Sequence, residues 1–144
     1  MRIMAIDWGK VRLGIAMSDP MGMIASPMPF IKRKDAVHDL KEILRIAEEN
    51  EVAEIIIGMP LDIKGQVGKT AELVKKFMEE IESNFDGPVH AVDERYSSQA
   101  ADRSLLEAGM RRNKRKGVRD GVAAAWILQG FLDSRNSKDA MKIE

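Results

Sequence analysis

Asp7, Asp93, Glu94 and Asp120 have the clearest means of doing chemistry in this sequence. Asp7 closes the first apolar run, Asp93 and Glu94 close another that starts at Pro88, and Asp120 stands just ahead of Val122-Ala123-Ala124-Ala125-Trp126-Ile127-Leu128. Acids at the carboxyl ends of parallel strands border the crevice where open α/β sheets hold ligands. Like charges gathered there repel unless they are protonated or share a cation, so a divalent metal is the simplest reason for the arrangement. The chain has no cysteine and only His38 and His90, so the ligands on offer are oxygens of the kind that suit Mg²⁺ or Mn²⁺. Two such ions about 4 Å apart activate water and stabilise a leaving oxygen, the requirements of phosphodiester hydrolysis. The plainer reading is that an aspartate after a strand caps a turn and that Asp120 complements a helix N-terminus. The joint placement of the acids is more specific than any one of them.

A concentration of base adjoins these acids. Arg111, Arg112, Lys114, Arg115, Lys116 and Arg119 precede Asp120 in what reads as a loop, and Arg12 and Arg95 each follow a candidate acid closely. Such a patch suits the phosphates of a nucleic acid, whether structured RNA or branched DNA, against the alternative of a solvated loop. The stretch Gly58–Thr70 ends in Gly68-Lys69-Thr70, but a phosphate-binding P-loop needs another glycine six positions before its lysine, and Ile63 stands there. This loop is expected to shape the crevice wall instead. His38 and His90, without a nucleophile nearby, read as structural, and the methionines as core filler.

The elements that must position these residues are legible from periodicity. Met1–Asp7 and Arg12–Asp19 form a hairpin around Trp8-Gly9-Lys10-Val11, and Met23–Ile31, interrupted by Pro27 and Pro29, is an edge strand. Val37, Leu40, Ile43, Leu44 and Ala47 recur at helical spacing behind a capping Asp35. Glu54–Gly58 is a buried parallel strand, Leu73, Val74, Phe77, Met78 and Ile81 mark a second helix, and Pro88–Val92 a fifth strand. A third helix runs from Ser97 or Ser98 to Gly109, and a last helix follows the basic loop. The order β-β-β-α-β-α-β-α-α describes an α/β fold with a five-stranded mixed sheet flanked by helices. If its first, fourth and fifth strands are parallel, Asp7 and the Asp93-Glu94 pair project from one edge.

Composition bounds the rest. At 144 residues, 44% apolar and 32% charged, the chain is expected to build one core, a single domain over 1–135 followed by a polar tail over 136–144. Twenty-three basic residues balance twenty-three acidic ones, so attraction to a polyanion depends on distribution, not on net charge. Apolar runs fall far short of the roughly 20 residues that span a bilayer, so no membrane partner is expected. The start lacks the apolar run of an export signal, which together with the absence of cysteine sets the expectation of a cytoplasmic protein.

Asp7-Trp8-Gly9-Lys10-Val11-Arg12-Leu13-Gly14-Ile15-Ala16-Met17-Ser18-Asp19, then Gly58-Met59-Pro60-Leu61, then Asp93-Glu94-Arg95-Tyr96-Ser97-Ser98, then Asp120-Gly121-Val122-Ala123-Ala124 resemble the YqgF family, also called RuvX. Four motifs in order over nearly the whole chain carry the resemblance. It implies a ribonuclease H-like fold and a metal-dependent, two-metal nuclease acting on structured nucleic acid, either processing the 5' end of the 16S rRNA precursor or cutting like a Holliday junction resolvase. It further implies Asp7, Glu94 and Asp120 as the catalytic and metal-binding set, Asp93 as a neighbouring acid, and ribosome precursors as partners. Ser97 and Ser98 depart from threonine, and Gly121 stands where a larger residue is usual. Two competitors are a non-catalytic ribosome-assembly factor and an actin-like ATP-binding domain. The latter resembles two such domains closing on a nucleotide, more than one core of this length supplies.

Overall fold

The computed structural model describes residues 1–59, 68–93 and 112–143, with 112–120 and 137–143 described by backbone alone. The hairpin is β1 (Arg2–Asp7) and β2 (Arg12–Ser18), followed by β3 (Ala25–Lys32), α1 (Ala36–Glu49), β4 (Val52–Met59), α2 (Lys69–Asn84), β5 (Val89–Asp93) and α3 (Arg112–Ile143). The strands form one mixed sheet in the order β3-β2-β1-β4-β5. β1 pairs antiparallel with β2 and parallel with β4, and β4 parallel with β5. β3 lies at the edge, as its prolines require. The helix expected over 97–109 lies outside the described residues.

Both crossovers step the same way across the sheet, from β3 past β2 and β1 to β4 and then from β4 to β5, so α1 and α2 fall on one face. There Met4, Ile6, Ile15, Ile55 and Ile57 pack against Ile43, Ala47, Val74, Phe77 and Ile81. On the other face Ile3, Ala5, Ala16 and Ile56 meet Ala124, Ile127, Leu128 and Leu132 of α3. A strand between two helical layers must be apolar at every position, which is why Ile3-Met4-Ala5-Ile6 does not alternate. Asp35 caps α1, its carboxylate accepting from the His38 amide at 2.8 Å.

The structure corrects the reading of the basic segment. Arg112–Arg119 is helical backbone, the first turns of α3, and Asp120 lies well inside that helix instead of opening it. Arginine and lysine have helix propensities close to alanine's, and extending a helix already seated on the sheet avoids the cost of nucleation. The helix also continues through Ile143, so the polar segment after residue 135 keeps helical backbone.

Its seating is close. A Cβ on Gly121 would stand 3.0 Å from the Met28 carbonyl oxygen and 3.2 Å from Pro27 Cβ, with the Ile15 carbonyl at 3.5 Å. Further along, the Gln129 amide accepts from Ala25 N at 2.9 Å and donates to Met23 O at 3.0 Å. Arg135 donates two bonds to Glu54, at 2.7 and 2.8 Å, and His90 Nε2 lies 2.6 Å from the same carboxylate. The Arg135 bonds hold Glu54 below the ordinary carboxylate range against its partial burial, with His90 assisting. Gly121→Val is expected to overpack this contact and cost about 1–3 kcal/mol. Thermal unfolding should then show Tm lowered by roughly 3 °C or more, and an unchanged Tm would mean that the contact is slack.

Candidate active site

Asp7 is the last residue of β1, half-buried at the carboxyl edge of the sheet. Ile3 and Ala5 face α3, so the pleat turns Asp7 to the α3 side as well. Its partners in register are Gly14 on β2 and Gly58 on β4. In-register residues share a face, so at these two register positions neither neighbouring strand sets a side chain beside the carboxylate. A bulky, charged group such as a phosphodiester meets no side-chain wall from these two positions.

Asp93 ends β5, in register with Met59, while Val92 is in register with Gly58. Val92 packs with the α3 layer, on the same face as Asp7. Asp93 borders a cavity of about 310 Å³ whose walls include Val92, Trp126, Ile127 and Phe131. Glu94 lies outside the described residues. For Asp120 only the backbone is described. Its neighbour Gly121 lies close to Ile15, whose carbonyl oxygen would stand 3.5 Å from a Cβ there, and Ile15 is the register partner of Ile6, so α3 crosses the sheet at the level where β1 ends in Asp7. Among the described residues no three His, Cys, Asp or Glu side chains cluster as metal ligands.

The direction of α3 follows from its contacts. Gln129 and Asn136 bond to Met23, Ala25 and Gly22, at the end of the sheet away from Asp7. The helix therefore runs from Gly121 back toward the Asp7 edge, carrying the backbone of Arg112, Lys114, Arg115, Lys116 and Arg119 there. Arg12 opens β2 at the same edge, exposed, with its guanidinium carbon 5.0 Å from the Phe30 ring centroid. Arg95 and Arg111 lie outside the described residues. Both histidines are held by carboxylates, His90 by Glu54 and His38 by Asp39, in keeping with structural roles.

Sequence reasoning missed the support behind Asp7. Arg33 donates to Asp39 Oδ2 at 2.9 Å and to the Gly9 carbonyl at 3.0 Å, and its guanidinium lies 4.9 Å from the Trp8 ring and 5.7 Å from Phe77. One side chain thus ties the turn after Asp7 to the start of α1 and to α2. Burial pushes the Asp39 carboxyl up, but bonds from Arg33, the Lys34 amide and His38 outweigh it and hold the group below its ordinary value. A lowered folded value means stabilisation that is full above about pH 4 and fades as pH falls through it. Asp39→Asn is expected to cost about 3 kcal/mol near neutral pH, since it leaves Arg33 partly buried without its counter-charge. The difference from wild type should shrink on acidification, because protonation removes the same charge. Urea unfolding across pH measures this, and a gap independent of pH would refute it.

Comparison with known proteins adds to this geometry. A family model described as "RuvX: Holliday junction resolvase" matches residues 1–134. A protein of Halothermothrix orenii, provisionally named a pre-16S rRNA nuclease, is 45% identical over 136 residues, 94% of this chain and 97% of that protein. One of Clostridium perfringens, named in the same way, is 42% identical over 133 residues, 92% of this chain and 97% of the relative. Among solved structures, Thermus thermophilus RuvC in complex with a Holliday junction substrate superposes with a TM-score of 0.59 at 16% identity, covering 94% of this chain and 95% of that one. The fowlpox virus resolvase with Holliday junction DNA gives 0.60 at 11% identity, covering 93% and 98%. These likenesses bear out the ribonuclease H-like fold.

Proposed function

This chain belongs to the RuvX family of Holliday junction resolvases, hydrolases of phosphodiester bonds, and from that premise we propose a metal-dependent nuclease whose catalytic set is Asp7, Glu94 and Asp120. The observation that carries the reading is the place of Asp7 at the carboxyl edge, between Gly14 and Gly58 and on the face that α3 covers. The level at which α3 crosses supports Asp120 as a second member. Glu94 enters the set on its place in the motif Asp93-Glu94-Arg95-Tyr96, with Asp93 in the role of neighbouring acid.

The donor chemistry fits Mg²⁺ or Mn²⁺, because the set is all carboxylate and no thiolate exists in the chain. When bound, two such ions supply positive charge for the departing oxygen and ready deprotonation of water. The residues do the rest. Asp7, fixed by a strand buried on both faces, holds its carboxylate in one place and orients whatever it binds. The glycines beside it let the phosphodiester approach. The basic run of α3 gathers the backbone of the nucleic acid: helical spacing sets positions 112, 115, 116 and 119 along one side of the helix.

The relatives' names favour the 16S rRNA precursor as substrate, acted on in the cytoplasm, and branched DNA is the comparison substrate in the test. Purified protein, incubated with a precursor fragment and with a four-way DNA junction, should cleave the RNA when Mn²⁺ or Mg²⁺ is present and fall silent in chelator. Asp7→Asn should remove cleavage while leaving the far-ultraviolet spectrum unchanged and Tm equal or higher, because repulsion among the acids is relieved. Cleavage in chelator, or by a folded Asp7→Asn protein, would sink the mechanism.

Replacing Arg112, Lys114, Arg115 and Lys116 together by alanine should weaken RNA binding broadly. The plot of log K against log salt should become shallower by about 0.7–0.9 for each phosphate no longer neutralised. An unaltered slope would return these residues to a merely solvated helix.

A further inference from the structure

A second basic surface lies beside the candidate active site, on strands that the catalytic set does not use. Arg12 of β2 and Lys32 of β3 are in direct register, two like charges side by side at the sheet edge. Such a pair is unfavourable by itself. Lys10 in the β1–β2 turn and Lys34 just after β3 are exposed at the same corner. Two tethers fix this corner: Arg33 N donates to Val11 O at 2.9 Å, and Lys34 N donates to the buried Asp39 carboxylate at 3.1 Å. Lys32 and Lys34 form no ion pair among the described residues. The nearby acids Glu42 and Glu49 are both engaged by Arg45, at 2.7 and 3.0 Å.

Phe30 stands in the middle of this charge. Its side chain, 40% exposed, lies under the Arg12 guanidinium and lines, with Lys32 and Lys34, a groove of about 390 Å³ between β3 and α1. An exposed aromatic ring flanked by cations is the combination that binds unpaired nucleotides: the ring stacks on a base, and the cations hold phosphates. A duplex keeps its bases stacked inside and offers the ring nothing. Asp7 is in register with Gly14, which shares β2 and its face with Arg12, so the strand backbone of this corner lies about 10 Å from that of the acid across two strand spacings, with the groove opening at the edge toward α1 and Asp7 on the α3 face.

We infer that Phe30, with Lys10, Arg12, Lys32 and Lys34 around it, forms a subsite for an unpaired strand of the nucleic acid entering or leaving the Asp7 edge. The inference rests on the nuclease reading and adds a preference for single-stranded character next to the cleavage point.

The test is equilibrium binding on the Asp7→Asn protein, which leaves its substrate uncut. The probes are a labelled single-stranded RNA of about a dozen nucleotides and the same strand annealed to its complement. Phe30→Ala should weaken binding of the single strand roughly ten-fold and leave the duplex within about two-fold. Phe30→Tyr should restore the single-strand affinity, which a merely structural defect would not predict. Lys32→Ala with Lys34→Ala should make the single-strand salt slope shallower by about 0.7 for each phosphate released. Equal losses on both probes, no loss on the single strand, or failure of tyrosine to rescue would each overturn the subsite alone. No binding of either probe by the Phe30-containing protein would overturn the nuclease reading and the subsite together.

Discussion

The close contact between α3 and the sheet at Gly121 is the constraint on which the rest of the structure depends. A helix laid on strands at ordinary distance would stand off by the width of a side chain. Here the missing Cβ lets helix backbone approach the carbonyls of Met28 and Ile15. That contact sets the level at which α3 crosses, and with it the backbone position of Asp120 relative to Asp7. The glycine that weakens a helix in isolation, by up to about 1 kcal/mol relative to alanine, here permits a contact that a larger residue would push apart.

Two ion-pair assemblies hold the layers from opposite sides. On the α1 and α2 side, Arg33 joins Asp39, the Gly9 carbonyl and the rings of Trp8 and Phe77. On the α3 side, Glu54 accepts from Arg135 and meets His90, while the Arg135 guanidinium and the His90 ring both lie against Phe131. Each pairs a buried or largely buried carboxylate with a planar arginine that also covers an aromatic face. This satisfies charge and packing with one side chain. The first stands directly behind the turn that follows Asp7, and the second anchors the far part of α3. Neither touches substrate in the proposed mechanism; both restrict the elements that would.

A formal charge of zero conceals a strong separation. Lys10, Arg12, Lys32 and Lys34 on the hairpin and edge strand gather at the carboxyl edge, where the α3 backbone also brings its basic run. Around the proposed acidic centre, this base would attract a polyanion while the acids would reserve a small region for cations. Attraction and chemistry are thereby assigned to adjacent but distinct surfaces.

Local pattern determined much of this protein. The hairpin, the proline-marked edge strand, the alternation of strand and helix, the Asp35 cap and the acids at strand ends all follow from period and residue type, because such signals act within a few residues. The helical state of 112–119 escaped that reading. A run of like charge looks like a solvated loop until an adjacent apolar segment docks and lets the helix extend through it. Register escaped it too: that Gly14 and Gly58 flank Asp7, that Arg12 stands beside Lys32, and that Val92 pairs with Gly58 are decided by strand pairing between segments far apart in the chain. The Arg33–Asp39 bond likewise exists only where β3, α1 and the first turn meet. Sequence names the groups that can react. Tertiary structure alone decides which of them share a face, because facing depends on register, and register is settled by the simultaneous burial of both sides of the sheet.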